Sequence, residues 1–272
     1  MKATVGIALL LIVLLLALGY WIQRNGIATS VVSNATTTET QNSTTNVTSG
    51  GVTLQETLSN KTLSSGNFTF LPSSQQWQYF VYLPQNYSSS NTYPMIIGMH
   101  GQGGYALGYL DDWIGAANTY NFILAFPQSN TSEGWWTGTA SDFAIAIIKE
   151  MKSNYKIGNV FLTGCSAGAK VTYSDALWNP NTFKGIAPMA SSFGTYTPDK
   201  QDLSNAKGQN FYIVQGAEDS EIPLSNTQYA VSTLKGAGAH VTFIVVQGMG
   251  HACPIAEDMN ITKWFASLEP RA

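Results

Sequence analysis

From residue 68 onward the apolar positions fall into two kinds of run that take turns along the chain. Short, nearly continuous apolar runs occupy residues 68–71, 77–83, 95–99, 122–126, 159–163, 185–189, 210–215 and 241–246. Met95-Ile96-Ile97-Gly98-Met99 and Val241-Thr242-Phe243-Ile244-Val245-Val246 lack polar alternation, which predicts strands buried on both faces of a mostly parallel sheet. Longer amphipathic stretches lie between the runs, at 106–119, 142–155, 167–178, 224–236 and 255–268. In the second of these, Phe143, Ile147, Ile148 and Met151 recur at helical spacing. This exchange of strand and helix predicts one α/β domain, a doubly wound, eight-stranded sheet with helices on both faces. Residues 191–209 are polar and contain proline without a long amphipathic stretch, so no large cap domain is expected over the sheet.

Before residue 67 the texture differs. Residues 3–22 carry no charge and are dominated by Leu, Ile, Val and Ala, close to the ~20 apolar residues a helix needs to cross a bilayer. Lys2 and Arg24 flank the run on either side, which sets its orientation only weakly. Tyr20-Trp21 suits an interfacial aromatic anchor, and a retained transmembrane anchor is expected over residues 1–27. The alternative is a signal peptide cleaved near Ala17-Leu18-Gly19. Either reading places the rest of the chain outside the cytoplasm, anchored to the cell membrane or secreted. Residues 28–66 are rich in Ser, Thr, Asn and Gly. With little to bury they cannot offset their ordering entropy, and a disordered stalk is expected ahead of a catalytic domain at 67–272. Asn-x-Ser/Thr acceptors at Asn34, Asn42, Asn46, Asn60, Asn67, Asn86, Asn130 and Asn260 would admit glycosylation, although Ser/Thr/Asn-rich sequence also produces them by chance.

Composition narrows the function classes. Charged residues are 11% of the chain, less than half the usual share, so Ser, Thr, Asn, Gln and Gly must cover most of the surface. A net charge of −3 without a basic stripe leaves no electrostatic case for nucleic acid as a partner. There are three histidines and no ligand-spaced cluster, so neither a metal nor a cofactor is expected.

The sharpest local signal is Gly164-Cys165-Ser166-Ala167-Gly168, between a predicted strand and a predicted helix. That is the context of a G-x-S-x-G nucleophile elbow, whose tight turn lifts the serine hydroxyl above the sheet edge at a helix N-terminus. A serine nucleophile needs a base. His251, in the loop Gly248-Met249-Gly250-His251 after the last predicted strand, comes where this chain order puts it. His240 opens a strand and reads as structural. The acid belongs between them, after a strand. Asp219 in Gly216-Ala217-Glu218-Asp219-Ser220-Glu221 is the candidate, with Glu218 and Glu221 as competitors. The oxyanion of acyl transfer calls for two backbone donors. Ala167, directly after the nucleophile, and Gln102, in His100-Gly101-Gln102-Gly103-Gly104, stand at the two required places. Trp135 and Trp136 could line the site as an aromatic wall or pack the loop that carries them.

Between Trp77 and Phe265 the chain resembles the α/β-hydrolase fold, and within it the feruloyl esterase and polyhydroxyalkanoate depolymerase type. The resemblance rests on Met99-His100-Gly101-Gln102-Gly103-Gly104, Phe122-Ile123-Leu124-Ala125-Phe126-Pro127-Gln128, Trp135-Trp136, Val160-Phe161-Leu162-Thr163 with the elbow, Phe183-Lys184-Gly185-Ile186-Ala187-Pro188, and the Asp219 and His251 segments. It departs at Cys165 and Asn159, where such esterases often carry an apolar residue and an arginine. The resemblance implies a serine carboxylic-ester hydrolase working through an acyl-enzyme, open enough without a cap for bulky or polymeric esters. A serine peptidase of the same fold and a non-catalytic surface binding protein are the alternatives; a complete triad argues against the latter. Cys165 and Cys253 flank Ser166 and His251. If those two hydrogen-bond, the cysteines come close enough for the disulfide that a group of tannase-like esterases forms beside the same two residues. Ala252 between His251 and Cys253 could instead aim the thiol away.

Overall fold

The structure, a computed structural model, describes residues 52–58, 61–69, 76–129, 135 and 137–270. The described strands are β1 (Val52–Leu58), β2 (Lys61–Thr69), β3 (Gln76–Tyr82), β4 (Tyr93–Met99), β5 (Ile123–Gln128), β6 (Ile157–Cys165), β7 (Gly185–Met189), β8 (Asn210–Gly216) and β9 (His240–Val246). They form one sheet in the order β1-β2-β3-β5-β4-β6-β7-β8-β9. The pairings among β1, β2, β3 and β5 are antiparallel. Those that link β5, β4 and β6 through β9 are parallel. The helices are α1 (Ala106–Tyr120), α2 (Thr137–Asn154), α3 (Ala167–Trp178), α4 (Lys200–Asn205), α5 (Leu224–Gly236) and α6 (Ile255–Ser267).

The unbroken apolar run of β4 is explained by a core on each side of the sheet. Met95, Ile97 and Met99 of β4 pack with Phe143, Ile147 and Met151 of α2, Val171 of α3 and Leu234 of α5. The intervening Ile96, with Leu124, Phe126 and Phe161, packs with Leu110 and Trp113 of α1 and Ile261 and Phe265 of α6. Successive side chains point to opposite faces, so a strand covered on both must be apolar at every position. Each fully buried Phe, Ile or Met here contributes about 1.5–3 kcal/mol.

The expected architecture holds, with three differences; the first is that the run at 241–246, expected to be buried on both faces, forms the edge strand β9 and is only partly buried. The sheet has nine strands among the described residues instead of eight, and the expected boundary between stalk and domain at 66/67 falls inside β2. Composition misled because an antiparallel ladder at a sheet edge needs little apolar area. Thr and Val favour the extended backbone, and hydrogen bonds to β2 and β3 satisfy its polar groups. The expected anchor or signal peptide and the stalk up to residue 51 lie outside the described residues. Among the described residues no helix is long and apolar enough to cross a membrane. Residues 191–209 contain only the six-residue α4, which opens on a capping box between Asp199 and Asp202.

Topology fixes where chemistry can occur. From β4 the chain goes to β5 on one side, while β6 lies on the other. The loops leaving the carboxyl ends of β4 and β6 therefore sit side by side at a topological switch point, where open α/β sheets bind ligands.

Asp258 of α6 is 3% exposed, and its Oδ1 has no hydrogen-bond partner. Burial, with Asp112 and Glu257 nearby, pushes its pKa up to about 8. The folded chain then holds this proton up to about pH 8, whereas the unfolded chain releases it near pH 4. Stability should accordingly fall as pH rises from 4 to 8, and Asp258→Asn should flatten that slope. Thermal melts at pH 4.5 and 8 check it: the variant should gain on the wild type at the higher pH, and a constant difference would acquit Asp258.

Candidate active site

The elbow forms where β6 runs into α3. Ser166 takes φ 51° and ψ −111°, a positive-φ conformation that a non-glycine residue holds only when its surroundings impose it. Its N–H donates to the Met189 carbonyl of β7 at 2.9 Å. The preceding residue is fixed by a disulfide: Cys165 is joined to Cys253, with Cα atoms 5.9 Å apart. The spacer Ala252 does not aim Cys253 away. Gly168 supplies the closest approach, because a Cβ there would collide with the Met99 and His100 carbonyls. Only glycine lets α3 press against the loop leaving β4.

The predicted residues converge here. Ser166 Oγ lies 2.8 Å from His251 Nε2, and His251 Nδ1 lies 2.8 Å from Asp219 Oδ2. An ionised carboxylate only accepts, so Nδ1 carries the imidazole proton and Nε2 is left to accept from the serine hydroxyl. Asp219 is buried, and Gln215 Nε2 donates to its Oδ2 at 2.8 Å. The Glu221 and Ile222 N–H groups donate to Oδ1 at 2.9 and 2.8 Å. Burial pushes the Asp219 pKa up. The hydrogen bonds from Ile222, His251 and Glu221 outweigh it and hold the carboxyl below its ordinary value. Of the competitors, Glu218 is exposed and Glu221 only approaches the other ring nitrogen, its Oε2 being 3.7 Å from His251 Nε2. The Asp219 and His251 loops touch, since a Cβ on Gly216 would meet the Met249 and Gly250 carbonyls. His240, at the start of β9, is exposed.

A cavity of about 420 Å³ opens above Ser166 and His251, lined also by Gln102, Glu221, Ala252 and Cys253. Ala167 is the first residue of α3, where an N–H has no partner within the helix. The loop that carries Gln102 is braced from behind. His100 Nδ1 donates to the Gly101 carbonyl at 2.7 Å, while its Nε2 accepts from Ser129 N–H at 3.0 Å. Burial lowers the His100 pKa against the opposing effect of the Gly101 carbonyl, so the ring stays neutral in this arrangement. Trp135 Nε1 donates to the His100 carbonyl at 2.7 Å, and its ring lies 5.1 Å from the imidazole. The indole thus braces the loop and does not line the cavity; Trp136 lies outside the described residues. Gln128 ties the end of β5 to His100 and accepts the first N–H of α1.

Sequence reasoning missed Gln128 and Gln215. Each is a polar residue closing a buried apolar strand, and that anomaly was the available signal. Gln215 Oε1 in turn accepts from Thr227 Oγ1 at 3.0 Å, which anchors the carboxylate's support to α5. Among the described residues no group of His, Cys, Asp and Glu could hold a metal ion.

Solved structures share the fold. A ferulic acid esterase from Anaeromyces mucronatus, in complex with ferulic acid, superposes with a TM-score of 0.62 at 16% identity, over 80% of this chain and 95% of that one. The chain has the α/β-hydrolase fold. A protein assigned as a dipeptidyl aminopeptidase IV from Bacteroides ovatus matches with a TM-score of 0.64 at 16% identity, over 76% of this chain but 36% of its own. In sequence, a poly(3-hydroxyalkanoate) depolymerase C from Paucimonas lemoignei is 31% identical over 113 residues. That match covers 36% of this chain and 27% of the depolymerase. No protein-family model matches.

Proposed function

We propose that this α/β-hydrolase is a serine esterase that cleaves carboxylic esters through an acyl-enzyme. The observation that carries the reading is the unbroken hydrogen-bond chain from Ser166 through His251 to Asp219 at the floor of an open cavity. Ser166 Oγ attacks the ester carbonyl as its proton passes to His251 Nε2, and the oxyanion is held by the N–H groups of Gln102 and Ala167. The C–O bond to the alcohol then breaks, and the alcohol oxygen takes the proton from Nε2. Water repeats the sequence on the acyl-serine, giving its proton to His251 and releasing the acid as Ser166 is reprotonated. Asp219 stays ionised throughout and steadies the imidazolium.

Two features support bulky or polymeric esters as the substrate class. Between β7 and β8 the chain builds only α4, and no residue of that segment lines the cavity. The matched depolymerase is named for a polymeric ester, and the ferulic acid esterase for the ester of an aromatic acid. A screen of the purified domain against short acyl esters, aromatic-acid esters, polyester and aminopeptide substrates tests the reading. Ester turnover is expected, and cleavage of the peptides alone would replace the esterase reading with the peptidase one.

The compartment belongs to the same proposal. A disulfide beside the nucleophile persists outside the reducing cytoplasm, and the apolar residues 3–22 would anchor the chain to the membrane. A chain beginning at Val52 should keep its activity and appear in the soluble fraction, while the full chain sediments with membranes. Full-length protein recovered soluble and unprocessed would overturn the anchor.

A further inference from the structure

Glu221 stands at the catalytic histidine without belonging to the triad. Its N–H is tied to Asp219 Oδ1 at 2.9 Å, so its backbone is fixed. Its carboxylate is 71% exposed and reaches to 3.7 Å from His251 Nε2. Among the described residues lining the cavity it is the sole Asp, Glu, Lys or Arg.

That placement bears on one half of an ester. Nε2 must hand its proton to the departing alcohol oxygen, which therefore comes within roughly 3 Å of it. The alcohol oxygen and the Glu221 carboxylate can then be no more than about 7 Å apart, given the 3.7 Å between Nε2 and Oε2. A negative charge carried on the alcohol half, three or four bonds beyond that oxygen, meets the Glu221 charge at short range.

Building on the esterase reading, we propose that Glu221 is a specificity-determining residue that selects esters whose alcohol half is neutral or cationic over those whose alcohol carries a carboxylate. In a polyester of hydroxy acids, the bond next to the free carboxyl end has an anionic leaving alcohol and every interior bond has a neutral one. Glu221 steers cleavage away from that end and into the chain. Because its carboxylate is exposed and screened, the discrimination is modest, about 3- to 10-fold.

Three butyryl esters test this, with 3-hydroxybutyrate, its methyl ester and choline as the alcohols. For the wild type, kcat/KM should rise from the anionic through the neutral to the cationic ester, and the spread should shrink in 0.5 M salt. Glu221→Gln should bring the three within about 2-fold, and Glu221→Lys should reverse the order. The same ranking in both variants, or no ranking in the wild type, would overturn the role of Glu221 while leaving ester hydrolysis standing. Failure of the wild type to cleave even the neutral ester would instead remove the esterase reading, and this inference with it.

Discussion

Ser166→Ala should reduce ester turnover by roughly four to six orders of magnitude, the loss seen when a triad nucleophile is removed. The size follows from the coupling of the three groups. Without Oγ no acyl-enzyme forms, and the hydrogen bond held at 2.8 Å from His251 Nε2 has no proton to move. His251→Ala should cost a similar amount, and combining the two should add little, because residues that act as a unit are not additive. The variant should fold normally: alanine carries the same strain at φ 51° as serine, and the Met189 hydrogen bond uses only backbone. A fluorophosphonate probe should label the wild type on Ser166 and leave the variant unmarked. Labelling at another serine, or turnover within tenfold of wild type with the fold intact, would rule out Ser166 as nucleophile.

The sequence was most informative where local chemistry and local geometry coincide. Gly164, Ser166 and Gly168 must lie within one tight turn, so the elbow is written in five consecutive residues, and the flanking strand and helix confirm its setting. The parallel strands were legible because burial on both faces leaves no room for polar residues, as at Met95–Met99. β1 and β2 were not, because their Ser- and Thr-rich stretch has the composition of a stalk; what makes it sheet is pairing with β3 across the chain. The acid illustrates a different limit. Glu218, Asp219 and Glu221 lie within four positions, and spacing alone could not rank them strictly. Three-dimensional partners set Asp219 apart: Gln215 Nε2, His251 Nδ1 and two backbone N–H groups converge on it. The bracing of the Gln102 loop was equally hidden, since His100 meets Ser129 and Trp135 across 29 and 35 residues.

Loss of the Cys165–Cys253 disulfide should lower both stability and turnover, and the two effects have separable causes. The bond closes a loop spanning 88 residues. On the chain-entropy model such a closure stabilises by about 4–5 kcal/mol, an upper figure because the unfolded chain keeps some structure. For a domain of this size that corresponds to a fall in Tm of roughly 10–15 °C in Cys253→Ser. The effect on turnover comes from position. One sulfur sits beside the strained Ser166 and the other two residues after His251. The bond therefore pins together the two segments whose 2.8 Å separation proton transfer requires. Released, the His251 loop still has the Glu218–Met249 backbone hydrogen bond and the Asp219 contact to hold it. Turnover should consequently drop by about 10- to 100-fold and not vanish. Measured well below the lowered Tm, kcat should still be reduced, which separates loss of positioning from loss of fold. Reduction of the wild type should reproduce both changes, and reoxidation should reverse them. Two titratable thiols in the oxidised native protein, together with activity indifferent to reductant, would show that the bond does not form.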